Sequence, residues 1–129
     1  MDLNDIRNFS ADQESGTWCD LADPVTGAVT GIRLKIAGPD SETQNRARLT
    51  LADDLAEAAD HEGRVSAEMR ERVRIDSLAR CILDWECAEA GAPLPFTRAN
   101  VVRLLRAAHW VQAQVDAIAS DRSIHRKGS

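Results

Sequence analysis

The run "GIRLKIAG", residues 31–38, constrains the fold most strongly because apolar and charged side chains alternate along it. The alternating residues are Ile32, Arg33, Leu34, Lys35 and Ile36. A period of two is typical of a β-strand with one buried face and one face in water. We therefore expect a strand here whose apolar side chains face a core.

A second β-like run precedes this strand, across a turn. Asp23-Pro24 and Gly27 are turn residues, because proline presets φ and glycine accepts a positive φ. The pattern predicts a β-hairpin in which residues 17–22 pair with residues 28–37. Two strands alone are marginally stable in water, so this hairpin must pack on helices or join the sheet of another subunit.

The remainder of the chain has helical periodicity in three stretches. The first begins at Ser41, with Gln44 in capping-box spacing, and ends near Gly63. The second runs from about 66 to about 90, and the third from Thr97 to about 120. Between the last two, Gly91 ends one helix, the prolines prevent its continuation, and Thr97 caps the next. The spacing predicts an antiparallel helix pair.

The predicted fold class is therefore α+β, with an amino-terminal β-hairpin packed on a bundle of about three α-helices. The 129 residues suffice for a single domain with a core of its own. Its expected parts are a flexible arm at 1–14, the β-hairpin at 15–38, a helical part at 41–120 and a flexible tail at 121–129.

Metal sites and catalytic groups have no support in the residue pattern. The three histidines and three cysteines show no metal-ligand or redox spacing, and no serine has the setting of a nucleophile. The histidines are His61, His109 and His125, and the cysteines are Cys19, Cys81 and Cys87. Asp84 and Glu86 diverge at helical spacing. We expect no catalytic residue, no cofactor and no metal, and hence not an enzyme.

The compartment follows from similar observations. An odd number of cysteines without a framework favours reduced thiols, with Cys81 in the core, and hence a reducing cytoplasm. The amino-terminal residues lack the pattern of a signal peptide, and no apolar run is long enough to cross a membrane.

Charge along the chain does not favour nucleic acid as a partner. Residues 1–60 carry 12 acidic and 5 basic side chains, whereas residues 61–129 carry 9 and 11. The arginines at 64–80 point in different directions on a helix and have acidic neighbours at i+3 or i+4. A solvated, salt-bridged surface explains them better than a phosphate-binding stripe.

Aromatic side chains are scarce, with three Trp, two Phe and no Tyr, so each one is expected to anchor packing or a contact. Tryptophan is enriched at binding hot spots, although core packing is the favoured explanation for any single one of these residues. The candidate partner-binding residues are Trp18, Trp85, Pro95, Phe96, Trp110 and Val111. In this interpretation, the helix pair forms a groove for helices of a client protein.

Between residues 80 and 122, a predicted helix that ends in tryptophan is followed by an acidic or glycine turn, "PLPFT", an asparagine and a "LL" helix. The residues of this pattern are Trp85, Gly91, Pro93, Leu94, Pro95, Phe96, Thr97, Asn100, Leu104 and Leu105. The pattern resembles the tail assembly chaperones of long-tailed bacteriophages, and residues 109–122 are similar to the closing helix of that family.

The resemblance implies a non-enzymatic prophage protein without a cofactor. Such a chaperone keeps the tape measure protein soluble and assists tail tube subunits as they polymerise around it. The free edges of the hairpin would also allow a homo-oligomer. Two alternatives stay open: a small phage structural or connector protein, and a nucleic-acid-binding regulator that uses the arginines of the second helix.

Overall fold

The computed structural model describes residues 1–126, and within them the chain begins with a helix, α1 (Leu3–Ser15). The Asp2 carboxylate accepts hydrogen bonds from the backbone N–H groups of Asn4 and Asp5, and the Asp5 carboxylate accepts one from the N–H of Asp2. This reciprocal capping box satisfies N–H groups that a helix start leaves unpaired. A helix therefore occupies most of the segment predicted as a flexible arm at 1–14.

The hairpin belongs to a three-stranded antiparallel sheet. Strands β1 (Thr17–Ala22) and β2 (Val29–Ile36) confirm the two predicted strands closely. The third strand, β3 (Ile82–Glu86), pairs with β2, so that the order is β1-β2-β3. Strand β3 replaces the last part of the predicted helix at 66–90, because residues 82–86 supply the pairing that a two-stranded hairpin lacks.

Two helices connect β2 to β3. The first, α2 (Glu42–Ala58), begins after Ser41, whose hydroxyl accepts a hydrogen bond from the N–H of Gln44, as predicted. The Gln44 amide does not complete the capping box, since it donates to the carbonyls of Ala37 and Ala119. The second helix, α3 (Ala67–Cys81), begins close to the predicted start at about 66 and ends where β3 starts.

A small hairpin follows β3. Strands β4 (Ala88–Glu89) and β5 (Ala92–Pro93) form a separate two-stranded sheet. The φ angles of Ala90 and Gly91 are 52° and 81°, and positive values at both central residues are required by a type I′ turn. Gly91 therefore turns a hairpin, and the prediction that it ends a helix is wrong.

The predicted third helix at 97–120 is two helices, α4 (Arg98–Ala107) and α5 (His109–Ser120). Ala108 between them is extended, with φ −159° and ψ 142°. The buried Gln112 side chain donates to the carbonyl of Leu105, which compensates a hydrogen bond lost at the break.

A short 3₁₀ helix (Arg122–His125) follows α5 and lies within the predicted flexible tail. His125 is fully buried there, with Nδ1 3.1 Å from Thr17 Oγ1 and Nε2 3.1 Å from the Ile118 carbonyl. The rest of that predicted tail, 127–129, lies outside the described residues.

The fold prediction of an amino-terminal hairpin on a three-helix bundle is wrong. The described residues contain five α-helices and five strands in two small sheets, and a helix precedes the hairpin. The core joins the inner side of the three-stranded sheet to α3, α4 and α5. Its fully buried members include Leu21, Leu34, Ile36, Ile75, Val101, Leu105 and Val115. None of the helices within residues 1–126 is long and apolar enough to span a membrane.

Candidate partner-binding surface

Trp85 on β3 holds the loop that follows β5. Its side chain is 7% exposed, and Nε1–H donates to the Leu94 carbonyl over 2.9 Å. The Phe96 ring meets the indole edge-on, with centroids 5.7 Å apart and planes at 73°. Phe96 itself is 41% exposed. The pair therefore presents one aromatic ring to solvent on a buried support.

The start of α4 fixes the other end of this loop. Thr97 accepts a hydrogen bond from the Asn100 N–H at 3.1 Å, which confirms the predicted cap. The Asn100 amide donates back to the Pro95 carbonyl at 2.9 Å and accepts from Arg103 at 2.9 Å. The proline rings further restrict φ at 93 and 95. The exposed Phe96 is thus held by hydrogen bonds on both sides.

Two open cavities flank Leu94. One of about 410 Å³ is lined by residues including Gly31, Trp85 and Pro93. The other, of about 240 Å³, is lined by residues including Ile32, Leu104 and Ala107. Both also border Cys87 and Leu94. We use the name Leu94 surface for Ile32, Cys87, Pro93, Leu94, Phe96 and Leu104.

One charged pair lies at the rim of the Leu94 surface. Arg103 bonds to the Glu89 carboxylate, and both residues line the smaller cavity. Burial raises the pKa of the Cys87 thiol, which also bonds weakly to the Ala88 carbonyl at 3.9 Å. The arrangement is suited to apolar contact within a polar rim, which is the usual anatomy of a protein interface.

The structure separates the predicted partner-binding residues. Trp85, Pro95 and Phe96 lie together at the Leu94 surface. Trp18 is 37% exposed on the other side of the sheet, with the Arg33 guanidinium 5.2 Å from its ring centroid.

The two predicted residues of α5 belong to the packing of the core. Trp110 packs half-buried against the core, and Val111 is 3% exposed. The one aromatic pair within residues 1–126 is Trp85–Phe96, so Trp110 does not stack on Trp85.

Sequence reasoning missed part of this surface. Leu94 and Leu104 were named only among the residues that carry the resemblance, and Cys87 was not singled out as a contact residue. Ile32 was expected to face the core, but it is half-buried and lines a cavity beside Leu94. Its signal is Gly31, whose φ of 86° interrupts the regular strand immediately before it.

Residues 1–126 contain no group of three or more His, Cys, Asp or Glu side chains that could hold a metal ion. Burial raises the pKa of the Cys81 thiol to about 11, which keeps it protonated at neutral pH. His61 is exposed, 3.8 Å from Glu62.

The family model described as YdaY prophage protein matches residues 40–129. The chain belongs to this family. The match supports a prophage protein, and it does not support the specific family of tail assembly chaperones. No curated protein and no solved structure matches the chain.

The segment shared with the YdaY prophage protein family holds most of the Leu94 surface. It includes β3, the loop at 93–97 and α4, whereas α1, β1 and β2 precede it. Ile32 on β2 completes the surface from outside the matched segment. The three-stranded sheet likewise joins two strands from before the match to one within it.

Proposed function

We propose that this prophage protein is a non-enzymatic tail assembly chaperone whose Leu94 surface binds an amphipathic helix of the tape measure protein. Family membership supports a phage role. The observation that carries the proposal is the exposed Phe96 ring, held edge-on by Trp85 between Leu94 and α4. The tail tube subunit is a second proposed partner, and the host cytoplasm is the proposed compartment.

Preorganisation of the loop favours binding. Trp85, Thr97 and Asn100 each hold it with one hydrogen bond of 2.9–3.1 Å, so little conformational entropy is lost when a partner contacts Phe96. An aromatic anchor beside shallow apolar cavities is suited to the stripe of an amphipathic helix, which presents side chains at i, i+3 and i+4.

Overall charge is compatible with a chaperone. The net charge of −5 keeps the protein, and a complex that it forms, away from neutrality.

One element of the resemblance changes in the structure, because Trp85 lies on a strand and does not end a helix. The loop "PLPFT" and the start of α4 retain the order expected from the resemblance.

The test is affinity capture of the tagged protein from cells that express its native gene cluster, followed by mass spectrometry. The proposal expects one very long, helix-rich protein among the captured partners. Phe96→Ser should reduce this capture at least tenfold, since the anchor ring is removed. The matched control is Val25→Ser, because Val25 is 90% exposed in the turn between β1 and β2.

Circular dichroism must show that both variants fold. Equal capture by Phe96→Ser and wild type would refute the assignment of the Leu94 surface. Recovery of the protein in purified particles would instead indicate a structural or connector subunit. Capture of nucleic acid that falls steeply with salt would indicate a regulator.

A further inference from the structure

Helix α1 is fastened to the rest of the protein at its carboxyl-terminal end. Gln13 is fully buried, and its Oε1 accepts the Asp40 N–H at 2.6 Å while its Nε2 donates to Asp40 Oδ2 at 3.1 Å. The next residue, Glu14, accepts hydrogen bonds from the Thr43 N–H at 3.0 Å and from the Thr43 hydroxyl at 2.6 Å. These polar contacts fix the orientation of the helix.

The fastening point depends on close backbone approach. The Gly38 N–H donates to the Gln13 carbonyl at 2.9 Å, and a Cβ on Gly38 would lie 2.6 Å from Gln13 side-chain carbons. Arg122 donates two hydrogen bonds to the Asp40 carboxylate and lowers its pKa below the usual value. Asp40 is therefore ionised at neutral pH. It lies within the segment that matches the family model, and it holds α1 to that segment.

The apolar stripe of α1 becomes exposed to solvent toward the amino-terminal end of the helix. Leu3, Ile6, Phe9 and Gln13 follow at intervals of three and four residues, so they share one helix face. Gln13 is 0% exposed and Phe9 is half-buried, but Ile6 and Leu3 are 53% and 58% exposed. Leu3 and Ile6, about one helical turn apart, are therefore left largely uncovered by the rest of residues 1–126.

A cavity of about 720 Å³ lies beside this stripe. Ile6 and Phe9 line it, and three of its other lining residues are acidic. These are Asp5, Asp12 and Asp40. Asp5 and Asp12 are seven residues apart and therefore lie two turns apart on the same flank of α1. Two cations also line it. They are the amino-terminal ammonium of Met1, 4.0 Å from an Asp5 oxygen, and the Arg126 guanidinium, 4.7 Å from the Phe9 ring centroid.

These charges disfavour a second copy of the chain in antiparallel contact. Two α1 helices packed antiparallel through their stripes would place the same flank of each copy face to face. Asp5 and Asp12 would then meet the same carboxylates of the partner. Like charges at such positions destabilise a helix pair and specify against it. A helix with lysine or arginine along that flank would gain from the same groups.

We propose that the α1 stripe, with its acidic flank, is a docking site for an amphipathic helix of another protein that carries basic residues along one edge. The site is separate from the Leu94 surface, and binding here does not depend on the chaperone proposal. The apolar side chains supply the contact area, and the carboxylates select the partner by charge.

Two synthetic helical peptides test this. Both contain about 18 residues, enough for measurable helicity, with leucines at intervals of three and four. One carries lysines along a single flank, and the other carries glutamates at the same positions. Fluorescence anisotropy with the full-length protein should show the lysine peptide binding at least about tenfold more tightly than the glutamate peptide. Amide chemical shifts should change along α1.

Three variants locate the binding. Ile6→Ser should lower the affinity for the lysine peptide at least tenfold, because Ile6 lies at the centre of the exposed stripe. Asp12→Lys should reverse the preference between the peptides. Val25→Ser should leave both affinities unchanged, since Val25 is 90% exposed in the turn between β1 and β2 and belongs to neither surface.

Equal binding of the two peptides, or full binding by Ile6→Ser, would overturn the proposal. Light scattering provides the remaining check. A wild-type dimer that Ile6→Ser converts to a monomer would show that a second copy occupies the stripe, which also overturns it. A monomer in both cases agrees with a different protein as the occupant.

Discussion

Consecutive residues of a strand point to opposite faces of the three-stranded sheet, and the two faces differ in chemistry: one is apolar and the other is charged. On the inner face, Cys19, Leu34 and Trp85 lie side by side across the strands, and Leu34 is fully buried. On the outer face, one position along, Arg33 lies between Asp20 and Glu86 at 3.5 Å from each. Both rows follow from the alternation in β2.

The difference shows which row stabilises the sheet and which one selects its register. Burial of apolar area contributes about 25 cal/mol per Å², so the inner row carries most of the free energy. The outer ion pairs are solvent-exposed and each contributes under about 1 kcal/mol. A slip of one residue would place the Arg33 charge in the core, so the alternation of both rows opposes misregistration.

Leu34→Ala should have the largest effect on this comparison. Leu34 is 0% exposed, and loss of its side chain leaves a cavity between the sheet and the helices. The expected loss in the free energy of unfolding is about 2–5 kcal/mol. Urea unfolding followed by circular dichroism measures it. A loss below about 1 kcal/mol would show that the inner row is not the main source of stability.

Trp85→Phe tests the same row at the point where it supports the loop. The substitution removes the donor to the Leu94 carbonyl and part of the ring under Phe96. A carbonyl that loses its partner costs about 1–3 kcal/mol, and we expect a loss in that range. Urea unfolding gives the stability. Amide hydrogen exchange at Leu94, whose N–H donates to the Cys87 carbonyl at 2.8 Å, should become faster.

The control for the loop effect is a variant that spares the indole. Phe96→Leu retains an apolar group and the hydrogen bond from Trp85, so exchange at Leu94 should stay slow. If Trp85→Phe leaves both stability and exchange unchanged, the indole does not hold the loop.

Local patterns predicted the strand positions but not the third strand. The alternation at 31–36 and the turn at 23–27 located β1 and β2. Ser41 and Thr97 were predicted as helix caps, and the start of α3 was predicted at about 66. Ile82 and Trp85 also continue a helical spacing from Ile75 and Leu78. Short apolar runs fit both periods, and here pairing with β2, distant in sequence, decides the conformation.

The breaks in the helical part had equally weak local signals. Ala108 is a good helix former with neither proline nor glycine beside it, yet the chain is extended there. The compensating contact from Gln112 to the Leu105 carbonyl is visible only in three dimensions. In α1, a capping pair starts a helix whose apolar residues are too few to predict it.

The candidate surface was predictable in part. Pro95 and Phe96 were singled out from the loop sequence and lie at the Leu94 surface. The cavities beside Leu94 need Gly31 and Ile32 from β2, more than fifty residues earlier in the chain. Contacts of that sequence separation depend on strand register, which no local pattern provides.

Gln114→Met tests whether contacts at the edge of the sheet add to the stability that the inner face provides. Gln114 on α5 accepts the Ala22 N–H at 2.9 Å and donates to the Ala22 carbonyl at 2.8 Å, so it closes the end of β1. Methionine has a similar shape but cannot form this pair. We expect a loss of about 1–2 kcal/mol in urea unfolding, smaller than that of Leu34→Ala. An unchanged free energy would show that water replaces both contacts.

Arg33→Ala should have the smallest effect and sharpens the comparison from the outer side. It removes both ion pairs and the cation–π contact with Trp18, all with half-exposed partners. We expect a loss under about 1 kcal/mol at low salt. At 1 M NaCl the screening length is about 3 Å, so the difference from wild type should shrink further. A salt-independent loss above about 2 kcal/mol would mean that the Arg33 side chain acts by packing, and the outer row would then resemble the inner one.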